Sequence, residues 1–206
     1  MSFVHLHCHS EYSLLEAPLR IPKLIELAKE NNMSAVALTD NGVMYGAISF
    51  YLQAKEQGLK PIIGCEMYLC PDITHKDRAR QRLILLCRNN DGYQNLIKLV
   101  TISHLEGFYY KPRIDLAHLQ QYSEGLIAIS PGRNGPVADC LQSNQDDEAK
   151  QFSESLKRIY KDNFYLGIER LGQSFEDLMI EGSRQLGQDL DIPLVVTNNV
   201  YYAEKD

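Results

Sequence analysis

The sequence predicts an α/β domain in which short apolar strands alternate with amphipathic helices. Short runs rich in Val, Ile, Leu and aromatic residues recur along the 206-residue chain, each too short to be a helix. The stretches between them carry apolar residues at helical spacing. Such alternation means parallel strands covered by helices, and seven strands can either close into a barrel or lie as an open doubly wound sheet. No Gly-x-Gly-x-x-Gly follows a strand, so a dinucleotide-binding fold loses its main support. With no internal repeat, low-complexity segment or clear linker, residues 1–206 read as a single domain.

In chain order, the first strand is expected over Phe3–His7, where Val4 and Leu6 face the helices and His5 and His7 point together to the other side. Pro22 then sits in the first turn of a helix with Leu24, Ile25, Leu27 and Ala28 on one face. After a strand at Ala35–Thr39, the stretch Met44–Gln57 reads as a helix with Ile48, Tyr51 and Leu52 as its apolar residues, stopped by Gly58. Strands follow at Pro61–Leu69 and Arg82–Cys87. Asp91 can cap the next helix, which carries Leu96, Ile97 and Val100. Beyond the strand Leu126–Ser130, Ala149, Phe152, Leu156 and Ile159 stripe a helix that leads to the strand Phe164–Ile168. Ser174 opens a last helix with Asp177 as a capping-box partner, and Leu194–Thr197 is the final strand.

Composition excludes several function classes. No apolar run approaches the length of a membrane span, and MSFVHLHCHS lacks the basic and apolar regions of a signal peptide. An odd five cysteines without a Cys-x-x-Cys pair form neither a disulfide framework nor a zinc ribbon, so a reducing, cytoplasmic setting is the simplest. The net charge of −6 argues against the domain gripping nucleic acid by itself, because that binding is driven by cations displacing counterions. Lys76, Arg78, Arg80 and Arg82 are the local exception and read as a largely solvated loop. Gly107–Asp115 mixes aromatic and basic residues; it can stack on bases, or it can pack its tyrosines on the body of the domain.

In α/β folds chemistry collects at the carboxyl ends of the strands. There the sequence places His5-Leu-His7-Cys-His9, Asp40-Asn41-Gly42, Glu66, Ser130-Pro-Gly132, Glu169 and Asn198-Asn199. Two imidazoles on one strand face with a carboxylate nearby suit a zinc or manganese hydrolase, in which the ion activates a bound water. By spacing alone, such histidines are more often hydrogen-bonded structural residues than ligands. Nothing resembles a Ser–His–Asp or Cys–His constellation, since Cys8 points away from its histidine neighbours.

His5-Leu-His-Cys-His-Ser-Glu-Tyr-Ser-Leu-Leu15, Leu38-Thr-Asp-Asn-Gly-Val-Met-Tyr-Gly46 and Gly64-Cys-Glu66 together resemble the PHP (polymerase and histidinol phosphatase) family. Asn90–Leu96, Gly107–Asp115 and Thr197–Tyr202 are similar to its polymerase branch, the N-terminal domain of bacterial DNA polymerase III alpha subunits. The resemblance implies a distorted seven-stranded β/α barrel. In active members of the family, residues at the strand ends hold up to three metal ions and hydrolyse phosphoesters. Position by position, His5, His7, Glu16 and Glu66 keep a ligand-type side chain, Glu16 where the family has Asp. Asn41, Arg82, Gly132, Asn199 and Tyr201 stand where the family has ligands that these side chains do not replace. Arg82 is expected to pair with Glu66 or Glu16 and to balance their charge as a metal otherwise would.

The expectation is therefore a scaffold with no catalytic residues and no cofactor, part of a longer replicative polymerase whose nucleotidyltransferase domains lie downstream. Its implied partners are those polymerase domains, the proofreading exonuclease subunit and other replicase subunits, with DNA reached only through the full-length subunit. The competing expectation is a metal-dependent phosphoesterase or 3′–5′ exonuclease holding one Zn or Mn ion at His5, His7, Glu16 and Glu66. A stand-alone histidinol-phosphatase-like enzyme fits less well, because the missing ligands would be needed.

Overall fold

The computed structural model describes residues 3–78, 80–174 and 176–203. Its strands are β1 (Ala35–Leu38), β2 (Lys60–Leu69), β3 (Gln81–Cys87), β4 (Arg113–Ile114), β5 (Leu126–Ser130), β6 (Phe164–Ile168) and β7 (Leu194–Val196). They run in the spatial order β1-β2-β3-β5-β6-β7, with β4 paired beside β2. The helices are α1 (Ile21–Glu30), α2 (Ala47–Glu56), α3 (Asn90–Leu105), α4 (Leu116–Gln121), α5 (Pro136–Gln142), α6 (Asp146–Tyr160) and α7 (Glu176–Leu190).

The sheet curls until its two edges approach each other. The predicted first strand is not regular β structure; it is an extended segment bonded on both sides. Ala37 N donates to His5 O and Thr39 N to Cys8 O on one side, while His9 N and Val200 bond on the other. Val200 lies just past β7, so residues 5–9 tie the β1 edge to the end of the chain.

The expected all-parallel sheet is corrected by β3, which runs antiparallel to both β2 and β5. The physical reason is the connection: no helix lies between β2 and β3, and a parallel neighbour needs a crossover. The functional consequence is direct. The start of β3 lies at the same rim as the carboxyl ends of its neighbours, with Arg82 opposite Tyr68.

Three apolar layers hold the curl. Ala37, Ile84, Leu86 and Ile129 fill its inside, joined by Leu6 and Ile62. The alternate residues of the same strands, Met67, Leu83, Leu85 and Ala128, pack outward with Leu96, Leu99, Leu156 and Leu186 of the helices. Cys8, Val36 and Leu38 meet α1 and α2 through Leu24, Ile25, Phe50 and Ala54. The sulfurs of Cys8, Cys65, Cys70, Cys87 and Cys140 are all free.

Local caps depart from the sequence expectations in instructive ways. Asn89, not Asp91, caps α3, its Oδ1 accepting from Gly92 N at 3.0 Å. Glu11 accepts from Ile21 N at 3.0 Å and so closes the start of α1, ten residues from its own position. On α2 the buried residues are Ala47, Phe50 and Ala54, whereas Ile48, Tyr51 and Leu52 are exposed; the opposite, smaller face meets the sheet. Asp177 pairs with Arg170 rather than with Ser174. Arg113 is fully buried and donates to the carbonyls of Ile73, His75, Asp77 and Gly107, clipping the loop after β2 onto the turn before β4.

Candidate functional site

The rim collects the side chains that the sequence singled out, with one exchange. His7, His9 and Glu66 are buried, and one ligand atom of each lies within 4.8 Å of the others. His5 is not in this group. The chain bends at Leu6, which packs inside the curl and breaks the strand alternation on which the His5–His7 pairing rested. The His5 ring instead lies edge-on against Phe3, 4.8 Å between centroids, and lines a groove with Cys8, Leu24 and Val200. The His-x-His pair that faces the rim is His7 and His9. The register slip of two was legible in principle, since Cys8 sits equally between these two rings.

His9 is oriented by a relay. Asp40, 1% exposed, accepts from Ser10 N (2.6 Å), Ser10 Oγ (2.7 Å) and Ser13 Oγ (2.7 Å). With its proton given to Asp40, Ser13 Oγ accepts from Asn41 N at 3.1 Å and from His9 Nδ1 at 3.4 Å. This arrangement favours the Nδ1–H form of His9, with Nε2 turned toward Glu66 and Asn199 beside the ring. Nε2 is buried with no hydrogen-bond partner of good geometry among the described residues, 3.9 Å from Glu66 Oε2. Burial, foremost, pushes the imidazole pKa down to about 3, so the ring is neutral. The relay was missed by sequence reasoning, which treated Asp40 only as the end of a strand.

Glu66 is the hub. His7 Nε2 hydrogen-bonds its Oε2, and Arg82 Nη1 donates to its Oε1 at 2.7 Å. Burial alone would raise this carboxyl, yet His7, His9 and Arg82 hold it down at about 2. Arg82 also donates to Tyr201 Oη at 2.8 Å and lies 3.5 Å from Glu16 Oε2. The expected pairing of Arg82 with the carboxylates is therefore present. Tyr201 stacks flat on His9, with centroids 4.2 Å apart and planes 7° apart.

Asn41 and Gly132 lie beside the rim carboxylates Glu16 and Glu169. Asn41 Nδ2 donates to Glu16 Oε2 at 2.8 Å, and Lys111 Nζ reaches Glu16 Oε1 at 2.8 Å. Glu16 is thus held by Asn41, Lys111 and Arg82 and stands apart from the His7–His9–Glu66 group. A side chain at Gly132 would approach Glu169, whose N lies 3.1 Å from the position of an added Cβ. Glu169 is nearly buried, with Oε1 4.0 Å from His7 Nδ1 and Oε2 without a partner among the described residues; burial raises its pKa. Asn199 Oδ1 is likewise buried and unpartnered there.

As a donor set, two imidazoles and a carboxylate suit one zinc or manganese ion. His9 Nε2 facing an ionised carboxylate is the observation in favour, since a cation between them would satisfy both. Against it, Arg82 already occupies one oxygen of Glu66 and His7 the other. Asn41, Arg82, Gly132, Asn199 and Tyr201 add no imidazole, thiolate or carboxylate to this set.

The curled sheet thus carries a His-x-His pair and a buried glutamate at its rim. The chain belongs to the PHP-domain family, whose model matches residues 5–171. Along nearly its whole length it is similar to DNA polymerase III alpha subunits. It is 42% identical to that of Borreliella burgdorferi over 212 residues, covering 99% of this chain and 18% of the relative. To that of Treponema pallidum it is 38% identical over 214 residues, covering 100% and 18%. The chain thus spans about a fifth of the length of these relatives. In structure it is similar to a candidate metal-dependent phosphoesterase of Bifidobacterium adolescentis, with a TM-score of 0.64 at 10% identity, covering 97% of this chain and 87% of the other. An amidohydrolase of Chromobacterium violaceum gives a TM-score of 0.63 at 13% identity, covering 98% and 89%. At such identities the likeness is one of fold. No helix among the described residues is long and apolar enough to cross a membrane.

Proposed function

We propose that this chain is the PHP domain of a longer replicative DNA polymerase III alpha subunit, working in the cytoplasm as a scaffold that has given up phosphoester hydrolysis. In this reading it packs against the polymerase domains of the same polypeptide and docks the proofreading exonuclease and other replicase subunits. The observation that carries it is Arg82. Its guanidinium binds Glu66 and Tyr201 at the place where a hydrolase of this kind needs metal charge. A permanent cation there balances the buried carboxylate and keeps the rim assembled without an ion.

The test is elemental analysis of the purified chain after dialysis against zinc and manganese, with His9→Ala alongside. The expected result is no metal above the level of the variant. About one tightly held ion per chain, lost in the variant, would overturn the metal-free scaffold.

The buried Nε2 of His9 supports a second reading, a reduced-site phosphoesterase or 3′–5′ exonuclease. There His7, His9 and Glu66 would hold one ion, which would supply Lewis acidity and an activated water. His9 would be kept in its ligating form by Ser13 and Asp40. Turnover of a phosphodiester that stops on chelation would establish this reading in place of the first.

A further inference from the structure

The outer helix layer is incomplete over β2. That strand passes to β3 with no helix between them, so α2 before β2 and α3 after β3 flank an open strip. A groove of about 360 Å³ occupies the strip, with Pro61 and Ile63 of β2 as its floor and Ile48, Tyr51, Arg88 and Tyr93 along its walls. The α2 helix is apolar on two faces. Ala47, Phe50 and Ala54 meet the sheet, whereas Ile48 and Leu52 are 60% and 61% exposed on the outer side, with Tyr51 beside them. Ile97, one turn beyond Tyr93 on α3, is exposed as well. Apolar residues at this spacing form the stripe by which a helix meets a neighbour, and a helix that is apolar all round is covered on both sides in its working state.

The charges on this face select what covers it. Lys55, Lys60 and Arg88 are exposed, and among the described residues none of them lies within ion-pair distance of a carboxylate. Arg88 lines the groove, Lys60 opens β2 just before Pro61, and Lys55 continues the outer stripe of Tyr51 and Leu52. The carboxylates next to them in sequence turn elsewhere. Glu56 lines the groove between α1 and α2. Asp91 lies about 100° around α3 from Asn90, on the side away from Tyr93. On a chain of net charge −6, unpaired cations around an apolar groove complement a partner that carries carboxylates.

We propose that the groove between α2 and α3 docks an acidic amphipathic helix of a partner polypeptide. Its apolar stripe would lie on Ile48, Tyr51, Leu52 and Tyr93, and its carboxylates would meet Lys55, Lys60 and Arg88. Laying an apolar helix face into such a groove is a general mode of peptide recognition. The incoming helix takes the place that a crossover helix between β2 and β3 would fill in a regular α/β layer. A second copy of this chain docking by the same face would set cations against cations across the two-fold axis. The inference rests on the open strip alone, so it holds whether or not the domain has given up hydrolysis and whether or not an ion binds at His7, His9 and Glu66.

The test is fluorescence anisotropy of a labelled helical peptide of Leu and Glu, its leucines at helical spacing, titrated with the full 206-residue chain. Two control peptides accompany it: one of the same composition with the stripe scrambled, and a striped one of Leu and Lys. The Leu–Glu helix is expected to bind more tightly than both. Its affinity should fall about tenfold in Leu52→Ser, as loss of one apolar anchor requires. Arg88→Glu should weaken the Leu–Glu helix and strengthen the Leu–Lys helix, a reversal that a general loss of structure would not produce. Both side chains are exposed, so the melting temperatures of the two variants should match that of the wild type. Absence of binding at low salt, equal binding of the scrambled peptide, or indifference to both substitutions would overturn the proposal. Tighter binding of the Leu–Lys helix to the wild type would do the same. A dimer in sedimentation equilibrium that Leu52→Ser dissociates would overturn it in favour of a second copy.

Discussion

Arg82→Met offers the sharpest test of how the rim is held together. The substitution keeps an aliphatic stem but removes the guanidinium that donates 2.7 Å to Glu66 Oε1 and 2.8 Å to Tyr201 Oη. Breaking one side of a buried ion pair costs about 3–5 kcal/mol, because the remaining charge is stranded. Two features reduce that here: the Arg82 side chain is 22% exposed, and Glu66 keeps His7 on its other oxygen. The expected loss is therefore about 2–3 kcal/mol at pH 7.5, read from urea midpoints with an unchanged m value. The dependence on pH is a second signature. A carboxyl held at about 2, against 4.5 when free, contributes stability that is complete above 4.5 and is lost as pH falls toward 2. The deficit of the variant should thus be flat from pH 8 to 5 and narrow below 4.5. Zinc is expected to raise the melting temperature of Arg82→Met more than that of the wild type, since one Glu66 oxygen is released. Equal midpoints for the two proteins between pH 5 and 8 would refute the claim that Arg82 holds the rim.

Other outcomes follow from the same geometry. Asn41→His is expected to show no phosphodiester turnover above a His7→Ala control, because four other replaced positions still lack ligands; turnover in the single variant would contradict this. Stability should fall as the solution is acidified from pH 7.5 to 5, with His9 contributing about 2 kcal/mol, because a ring held at about 3 must stay neutral while the unfolded chain takes up its proton near 6.5. His9→Gln should lose less over that interval, and an identical slope in calorimetric scans would count against it. Gly92→Ala should lower the urea midpoint by about 3 kcal/mol of stability, since its Cβ would lie 1.9 Å from Gly125 O at the start of α3. A variant as stable as wild type would mean that this turn gives way.

The amino-acid sequence alone determined the element pattern and the rim. Six of the predicted strands match β1, β2, β3, β5, β6 and β7 to within a residue or two, because short β-branched and aliphatic runs bounded by polar residues admit few other structures. Glu66, Asn41, Arg82 and Tyr201 meet at one rim, and Arg82 pairs with Glu66 as its charge requires. Three things only the tertiary structure decided. The direction of β3 depends on the connection before it, which apolar periodicity does not encode. The working face of α2 is the one with Phe50 and the small alanines, because room beneath the helix, not hydrophobicity, selects what packs there. The imidazole pair is His7 and His9 rather than His5 and His7, because a bend at Leu6 resets an alternation that sequence spacing assumes is unbroken. The relay from Asp40 through Ser13 to His9 joins residues 27 and 4 positions apart along the chain. A hydrogen bond of that kind has no periodic signature; folding creates it by bringing the end of β1 against the turn at Ser13.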